Sequence, residues 1–388
     1  MLNATTEHRP LRVVQVSFHA DEHRRDGETL LHVWPTLRGV AAGVARTGVE
    51  LTVVQAASRH QTVSRDGVEF RFVHDPTLAT IGRRSRFALP RRPRRIIAAV
   101  AVVQPDVVHV QGLGHATATR QLMAALPGVP VLVQDHAGSP PGAPRALAWR
   151  WAYRSLAGAA FAVRDQAAQF VASRVISARL PVFEIIEGST DFTPGDREAA
   201  RRATGLAGDP CLLWTGHLDA NKDPLTVLEA FRCAAERRPD ARLWCCFGKA
   251  PLLDEVRRCI ADSPLLAERV VLLGARPHDE MEELFRAADF FVQASHREGC
   301  SYSTIEALAC GTTPLVTDIA SSRRIVGDAG SLTPVGDAAA LGDAIVDWSV
   351  RDPSRRRSAA RARFDEALSF DVIGRDLCAA YRSLAAGR

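Results

Sequence analysis

Glu298 and Glu306 bracket a turn of small residues, Gly299-Cys300-Ser301-Tyr302-Ser303, which follows an apolar strand-like run and opens a helix-like one. A turn of this kind leaves backbone N–H groups aimed outward at the head of a helix, where a negatively charged ligand is favoured. Glu298 falls in the loop and Glu306 in the second turn of the helix, so both face a ligand held over the helix N-terminus. The pattern suits a pocket for a sugar joined to a phosphate. Opposite the Glu298 loop, Lys222 is the best single cation for a diphosphate, and His217 stands near it as a second hydrogen-bond donor. Gly216, Gly248 and Arg276 close neighbouring strand-like runs, and Arg276 could stack on or bond to a nucleobase.

The first half holds a second polar group. His109, His115, Asp135 and His136 fall near the ends of two adjoining strand-like runs, and strand-end loops of an open α/β sheet line its crevice. Each could be a hydrogen-bonded structural group. Together they suit acceptor binding or proton handling, with His136 as the catalytic candidate. The same region offers a competing reading. Gly112-Leu113-Gly114 follows a strand and opens a helix, and Asp135 ends the next strand, as in a dinucleotide site. Thr117 stands where close helix packing in such a site wants Gly or Ala.

The elements that must position these residues alternate in type. Leu11 to Ser17 reads as a buried strand, and a polar loop runs through Gly27 to a helix over Trp34, Leu37, Val40, Ala41 and Val44. Val49 to Val54 is the next strand. Asp66-Gly67 predicts a hairpin before Val68 to Val73. Helix and strand then alternate to Ile186, giving a doubly wound α/β domain. Glu187 to Asp196 is rich in turn formers and marks the interdomain connection. The alternation restarts with strands at Cys211, Ala241, Val270, Phe290 and Pro314. The expected domains are 1–190, joined by a C-terminal helix in 370–388, and 191–369. Val372, Ile373, Leu377 and Tyr381 give that helix an apolar stripe that must be buried.

The 388 residues are enough for two to three domains of ordinary size. No signal-peptide succession and no apolar run of spanning length is present, so the expectation is a soluble, cytoplasmic protein. The eight cysteines all lie in the second half without a Cys-x-x-Cys pair, which suggests neither zinc nor a disulfide framework. Net charge is only +5, but Arg83, Arg84, Arg86, Arg91, Arg92, Arg94 and Arg95 crowd one segment with Pro90 and Pro93. The plain reading is a solvated loop. The sharper one is peripheral contact with an anionic membrane. Nothing points to nucleic acid.

The ordered set of motifs resembles the retaining, nucleotide-sugar-dependent glycosyltransferases of family 4, which include the phosphatidylinositol mannosyltransferases. It comprises the 298–306 stretch, Ile185-Ile186-Glu187-Gly188 before Phe192-Thr193-Pro194, Thr215-Gly216-His217-Leu218 with Lys222, and Gly336-Asp337. The resemblance implies the GT-B fold: two Rossmann-like domains facing a central cleft, acceptor in the first, donor in the second, and a C-terminal helix crossing back to the first. It implies that Glu298 contacts the donor sugar, that the amides of Gly299 to Ser303 hold sugar and phosphate, and that Glu306 binds the ribose. Gly27 would stand in the acceptor loop, where many members have a glycine pair. His217 stands where the family usually has Arg, and Arg324 where it usually has Glu.

The expectation is therefore a retaining transfer of sugar from a nucleoside-diphosphate sugar to a hydroxyl-bearing acceptor, with no cofactor and no essential metal. The alternatives are an NAD-dependent oxidoreductase built on Gly112, Gly114 and Asp135, and a non-catalytic GT-B protein that binds sugar or nucleotide, suggested by His217 and Arg324.

Overall fold

The computed structural model describes residues 9–78, 92–136 and 138–387, which form two compact units. The first comprises the chain up to Gly188 together with the C-terminal stretch from Phe370, and the second comprises Ser189 to Ser369.

Short runs of Val, Leu and Phe, apolar on both faces, form parallel strands because helices must cover both sides of such a sheet. In the first unit β1 (Arg12–Ser17) leads through α1 (Gly27–Val33) and α2 (Pro35–Ala45) to β2 (Glu50–Ala56). The hairpin β3 (Gln61–Arg65) and β4 (Val68–Val73) follows. Its turn holds Asp66 and Gly67 at φ 52° and 75°, the left-handed pair that a two-residue hairpin loop requires. The chain continues through α3 (Arg94–Ala101), β5 (Val107–Gln111), α4 (Ala116–Ala125) and β6 (Val131–Gln134). It then runs through α5 (Arg145–Tyr153), β7 (Gly158–Phe161), α6 (Arg164–Ala172) and β8 (Val182–Glu184).

The strand order is β3-β4-β2-β1-β5-β6-β7-β8, parallel except for the β3/β4 hairpin. The order reverses between β1 and β5, so a crevice opens beyond their C-terminal ends. One difference from the sequence expectation lies before α2. Gly27 begins a helix rather than ending a loop, because the Asp26 side chain caps it by accepting from the Thr29 amide at 2.9 Å.

The second unit opens with α7 (Arg197–Thr204) and β9 (Cys211–Gly216), then α8 (Pro224–Arg237), β10 (Arg242–Phe247), α9 (Leu253–Ala261), α10 (Pro264–Arg269) and β11 (Val270–Gly274). There follow α11 (His278–Ala287), β12 (Phe290–Gln293), α12 (Tyr302–Ala309), β13 (Thr313–Thr317), α13 (Ala320–Val326), β14 (Ser331–Thr333), α14 (Ala338–Ser349) and α15 (Pro353–Ala367). Its strand order, β11-β10-β9-β12-β13-β14, is that of the dinucleotide-binding doubly wound sheet, with its switch point between β9 and β12.

The last helix, α16 (Phe370–Ala386), belongs to the first unit. Its stripe is buried as expected: Ile373, Leu377 and Tyr381 are sealed from solvent against α2 and β5. Close approach depends on glycines. A Cβ on Gly43 of α2 would stand 2.1 Å from the Phe370 carbonyl oxygen, and one on Gly374 2.2 Å from the Gly43 carbonyl carbon.

All eight cysteines are free thiols. Among the described residues no helix is long and apolar enough to cross a membrane. Arg83, Arg84, Arg86, Arg91 and Pro90 lie outside the described residues. Arg92, Arg94 and Arg95 surround the start of α3, where the Arg95 amide donates to Asp75 at 2.9 Å.

Candidate active site

The switch point of the second unit assembles the residues with the strongest chemical pattern. β9 and β12 lie side by side, and the loops leaving their C-terminal ends carry Lys222 and Glu298. Lys222 Nζ stands 2.5 Å from Glu298 Oε1, with both side chains largely withdrawn from solvent.

Each partner is positioned separately. The Asp219 carboxylate accepts from the amides of Asn221 (3.0 Å) and Lys222 (2.9 Å), an Asx-type turn that fixes where the lysine leaves the backbone. The Asn221 side chain donates to the Arg297 carbonyl at 3.0 Å, and the His296 amide donates to the Asn221 carbonyl at 2.8 Å, joining the two loops. Asp223, at φ 45°, caps α8 through Thr226 and lies 3.0 Å from His296 Nε2.

Glu298 has a second partner beneath it. Gln293, the last residue of β12 and 1% exposed, donates from Nε2 to Glu298 Oε1 at 3.0 Å. Its Oε1 accepts from Ser301 Oγ at 3.2 Å, and Thr304 Oγ1 donates to Ser301 Oγ at 2.8 Å. One buried amide therefore ties the carboxylate to the turn that opens α12. Ser321 completes the clamp by donating to the Glu298 carbonyl at 3.1 Å.

Gly299, Cys300 and Ser301 lead from Glu298 into α12, which begins at Tyr302, so the first-turn amides lie at the head of the helix that follows the Glu298 loop. Glu306 is in the second turn and 9% exposed. Its Oε1 lies 2.9 Å from His278 Nε2, and this hydrogen bond raises the His278 pKa above its ordinary value. The Phe192 ring packs on the His278 imidazole with centroids 5.1 Å apart.

His217 is exposed at the end of β9, and its Nδ1 accepts from the Lys249 amide at 3.2 Å. The neutral ring therefore carries its proton on Nε2 and offers it outward. Gly248 lies under that ring, with room for a Cβ only at van der Waals contact, and Gly216 abuts the Lys222 stem. Arg276 is not drawn into this cluster. It leaves β11, two strands away from β9, and pairs at 3.7 Å with Glu280 on α11.

In the first unit the switch point between β1 and β5 holds a cavity of about 200 Å³, lined in part by Gln15, Gln111, Gln134, His136 and Glu187, with Trp34 and Val40 supplying an apolar wall. His136 Nδ1 lies 2.8 Å from Glu187 Oε2 and Nε2 lies 2.8 Å from Gln111 Oε1. Gln134 is 2% exposed, and its Nε2 has no partner among the described residues.

The expected convergence of four polar groups here is corrected in part. His109 is not at the mouth: it lies mid-strand in β5, wholly buried, with Nδ1 2.7 Å from the Tyr381 hydroxyl. Burial, reinforced by His136, pushes its pKa down to about 3 and keeps it neutral. Gln15 donates to the same hydroxyl at 3.0 Å, so the group anchors α16. Asp135 is also buried, its carboxylate accepting from the Gly138 amide at 3.0 Å, and burial pushes its pKa up to about 6. His115 packs beside Phe18 at 5.9 Å, and burial lowers its pKa to about 4. Gly27 gives up its amide to Gln61 at 2.9 Å, and a Cβ there would stand 2.3 Å from the Phe72 ring, so close packing accounts for the glycine. Of the five expected acceptor residues, only His136 lines this cavity.

Sequence reasoning missed Gln293, Asn221, His278 and Ser321. Asp219 and Asp223 ahead of Pro224 carried a readable turn and cap signal. Gln293 did not, being one polar residue at the end of an apolar strand.

Comparison with known proteins places likenesses on both the second unit and the whole fold. Residues 209–349 match the family model described as glycosyl transferases group 1. The chain is similar to the GDP-mannose:cellobiosyl-diphosphopolyprenol alpha-mannosyltransferase of Xanthomonas oryzae, 25% identical over 308 residues, covering 73% of this chain and 78% of that protein. It is also similar to the D-inositol 3-phosphate glycosyltransferase of Mycobacterium tuberculosis, 32% identical over 202 residues, covering 49% of this chain and 41% of that one. The structure of sucrose-phosphate synthase from Thermosynechococcus elongatus superposes with a TM-score of 0.67 over 97% of this chain and 100% of that one, at 18% identity. Anabaena HepE in complex with UDP and glucose gives 0.64 over 96% and 100%, at 16% identity, and both likenesses are of fold.

The oxidoreductase alternative finds no support in these relatives. Gly112, at φ 90°, leads through Leu113, Gly114 and His115 in a single 3-10 turn into α4, and Asp135 is turned into the protein rather than toward a ribose. The chain has the two-domain GT-B fold of these neighbours, and its second unit matches the glycosyl transferases group 1 model.

Proposed function

We propose that the protein is a retaining glycosyltransferase that moves a sugar from a nucleoside-diphosphate sugar to a hydroxyl-bearing acceptor. The observation that carries this reading is the Lys222–Glu298 pair at 2.5 Å beside the head of α12. Breaking the bond between sugar and diphosphate develops negative charge on the phosphate and positive charge on the sugar. A cation with helix amides must face the first and a carboxylate the second. The switch point provides both within one contact distance.

In this reading the diphosphate replaces Glu298 as the partner of Lys222, the amides of the 299–303 turn hold the phosphate, and Glu298 turns to the sugar hydroxyls. His217 Nε2–H supplies the donor that the family usually takes from Arg. Glu306 accepts from the ribose. His136, held between Gln111 and Glu187, faces the acceptor in a cavity whose polar lining is amide, hydroxyl, imidazole and carboxylate. Same-face attack, with the departing diphosphate accepting the acceptor's proton, retains the anomeric configuration. No residue is assigned as a covalent nucleophile. Charge on the leaving group is met by Lys222, His217 and amides, so transfer should survive chelation of divalent metals. The relatives support a nucleoside-diphosphate donor by their names, which specify GDP-mannose in one and UDP with glucose in another.

The test is a thermal-shift screen against UDP, GDP, ADP, dTDP and their sugars, followed by transfer assays with the nucleotide sugar that binds. Glu298→Ala and Lys222→Ala should each abolish transfer in a folded protein. Undiminished turnover in both sinks the reading. Nucleotide-sugar binding without hydrolysis or transfer by the unaltered chain returns it to the non-catalytic alternative.

A further inference from the structure

The first unit carries a surface that the donor and acceptor assignments leave unused. Residues 107–183 contain seven arginines, no lysine, and only two acidic residues, Asp135 and Asp165. Asp135 is buried, so Asp165 is the one exposed carboxylate within the stretch, and Glu184, just beyond it, pairs with Arg164 at 3.9 Å and leaves the other six arginines unaffected. The stretch alone matches the formal +5 of the whole chain.

The arginines are gathered by α5 and the loop that follows α6. On α5, Leu147, Arg150, Trp151 and Arg154 follow one another at helical spacing along a single outward stripe. The opposite side is fixed by Ala152 and Tyr153, both buried, the tyrosine hydroxyl donating to the Leu113 carbonyl. Leu147 is 65% exposed and Trp151 54% exposed, among the largest exposures of apolar side chains in the described residues. The Arg120 guanidinium lies over the Trp151 ring at 3.2 Å and that of Arg154 stands 5.7 Å away. Beside the stripe is an open hollow of about 590 Å³ into which Arg150, Arg154, Arg174 and Arg179 all contribute. No acidic residue lines it, and none of the four has a carboxylate partner among the described residues. Elsewhere exposed arginines are mostly paired, as Arg59 with Asp26, Arg65 with Glu28 and Arg237 with Asp343.

Four unpaired guanidinium groups around a hollow call for phosphate, and a tryptophan and a leucine held out in water beside them call for an apolar phase. A free anion would satisfy only the first demand. Nucleic acid would satisfy the charge and stack on Trp151 but has no use for Leu147. The boundary of an anionic lipid bilayer satisfies both, with Trp at headgroup level, Leu among the upper acyl carbons and arginines on the phosphates. We propose that the α5 face docks the protein on anionic phospholipid, with lipid phosphate seated in the hollow lined by Arg150, Arg154, Arg174 and Arg179. This inference is independent of which donor or acceptor the enzyme uses.

The experiment is co-sedimentation of the full chain with vesicles of phosphatidylcholine alone or with about 30% phosphatidylglycerol, at about 0.1 M and 0.5 M salt. Binding is expected only to the anionic vesicles and is expected to weaken with salt. The double variant Arg150→Glu/Arg154→Glu should bind at least about a hundredfold more weakly, since each guanidinium near such a surface contributes about fivefold and charge reversal doubles the effect in free energy. Leu147→Ser, which changes no charge, should weaken binding at both salt concentrations, which a purely ionic contact would not show. Both variants are exposed substitutions, and unchanged melting temperatures verify folding. Anionic-vesicle binding unaffected by the double variant overturns the proposal. So does inorganic pyrophosphate binding in the hollow with no vesicle binding, or a clear preference for single-stranded nucleic acid over anionic vesicles.

Discussion

Gln293 holds Glu298 by a single hydrogen bond from Nε2 to Oε1 at 3.0 Å, and with its other end holds Ser301 at the entrance to α12. The carboxylate assigned to the sugar and the turn assigned to the phosphate are thus parts of one buried assembly. Gln293→Leu removes both bonds while keeping the volume. It leaves the hydroxyls of Ser301 and Thr304 sharing only each other, and should cost about 1–3 kcal/mol of stability. Activity should fall more steeply in kcat than in nucleotide affinity, by about tenfold to a hundredfold, because Glu298 loses its orientation while Lys222 remains. Steady-state kinetics together with isothermal titration of the nucleotide measure the split. Equal losses in both would place Gln293 in nucleotide binding instead.

Glu306 and His278 form a pair at 2.9 Å that a ribose must share. The carboxylate raises the His278 pKa, so the folded protein binds that proton more tightly than the unfolded chain does. The stability this adds is fully present below the ordinary imidazole pKa of about 6.5 and is lost as pH rises through the folded value. If the ribose hydroxyls take over Glu306, His278 loses the group that holds its proton, and binding releases it. Nucleotide affinity should therefore rise with pH across about pH 6 to 8, and His278→Ala should flatten that dependence. Titration calorimetry in two buffers of different ionisation enthalpy counts the proton. A pH-independent affinity in the unaltered protein would mean that the ribose does not engage Glu306.

The alternation of strands and helices was legible from the sequence because each buried strand is a short apolar run and each helix has its own period. The order of the strands was not. Nothing in Cys211 to Gly216 says that this strand pairs with Phe290 to Gln293 rather than with its sequence neighbours alone, yet that pairing is what brings Lys222 to Glu298. The pair was anticipated from the family pattern, whereas Gln293, which orients it, carries no local signal. His109 shows the converse error. A histidine near a strand end reads as a site residue, and only the return of α16, with Tyr381 272 residues later, shows that it is a buried anchor.

Asp135 offers a stability test with a defined sign. Burial raises its pKa to about 6 from an ordinary value of 3.8, so the folded state favours the protonated form. Stability falls as pH rises through the interval between those values and stays lower above it, by up to about 3 kcal/mol at neutral pH. Asp135→Asn keeps an oxygen for the Gly138 amide and removes the charge. It should raise the melting temperature at about pH 7.5 and have little effect near pH 4. A variant less stable than the parent at both pH values would show that the carboxylate is ionised and usefully paired in the folded protein.

The docking of α16 depends on backbone contact rather than on side chains that can move aside. A Cβ on Gly43 would meet the Phe370 carbonyl oxygen at 2.1 Å and its carbon at 2.9 Å, both fixed by the start of the helix. Gly43→Ala must push α16 away from α2 and loosen the Tyr381 hydroxyl from Gln15 and His109, leaving buried polar groups unpaired. A loss of about 3 kcal/mol or more is expected, at the upper end for overpacking by one methyl group. Gly114→Ala is the matched control, since nothing lies within 4 Å of a Cβ there. It should leave stability within about 0.5 kcal/mol of the parent. Denaturant unfolding of both variants, with limited proteolysis to follow release of the C-terminal helix, measures the difference. Similar stabilities for the two would mean that α16 can shift on α2 without cost.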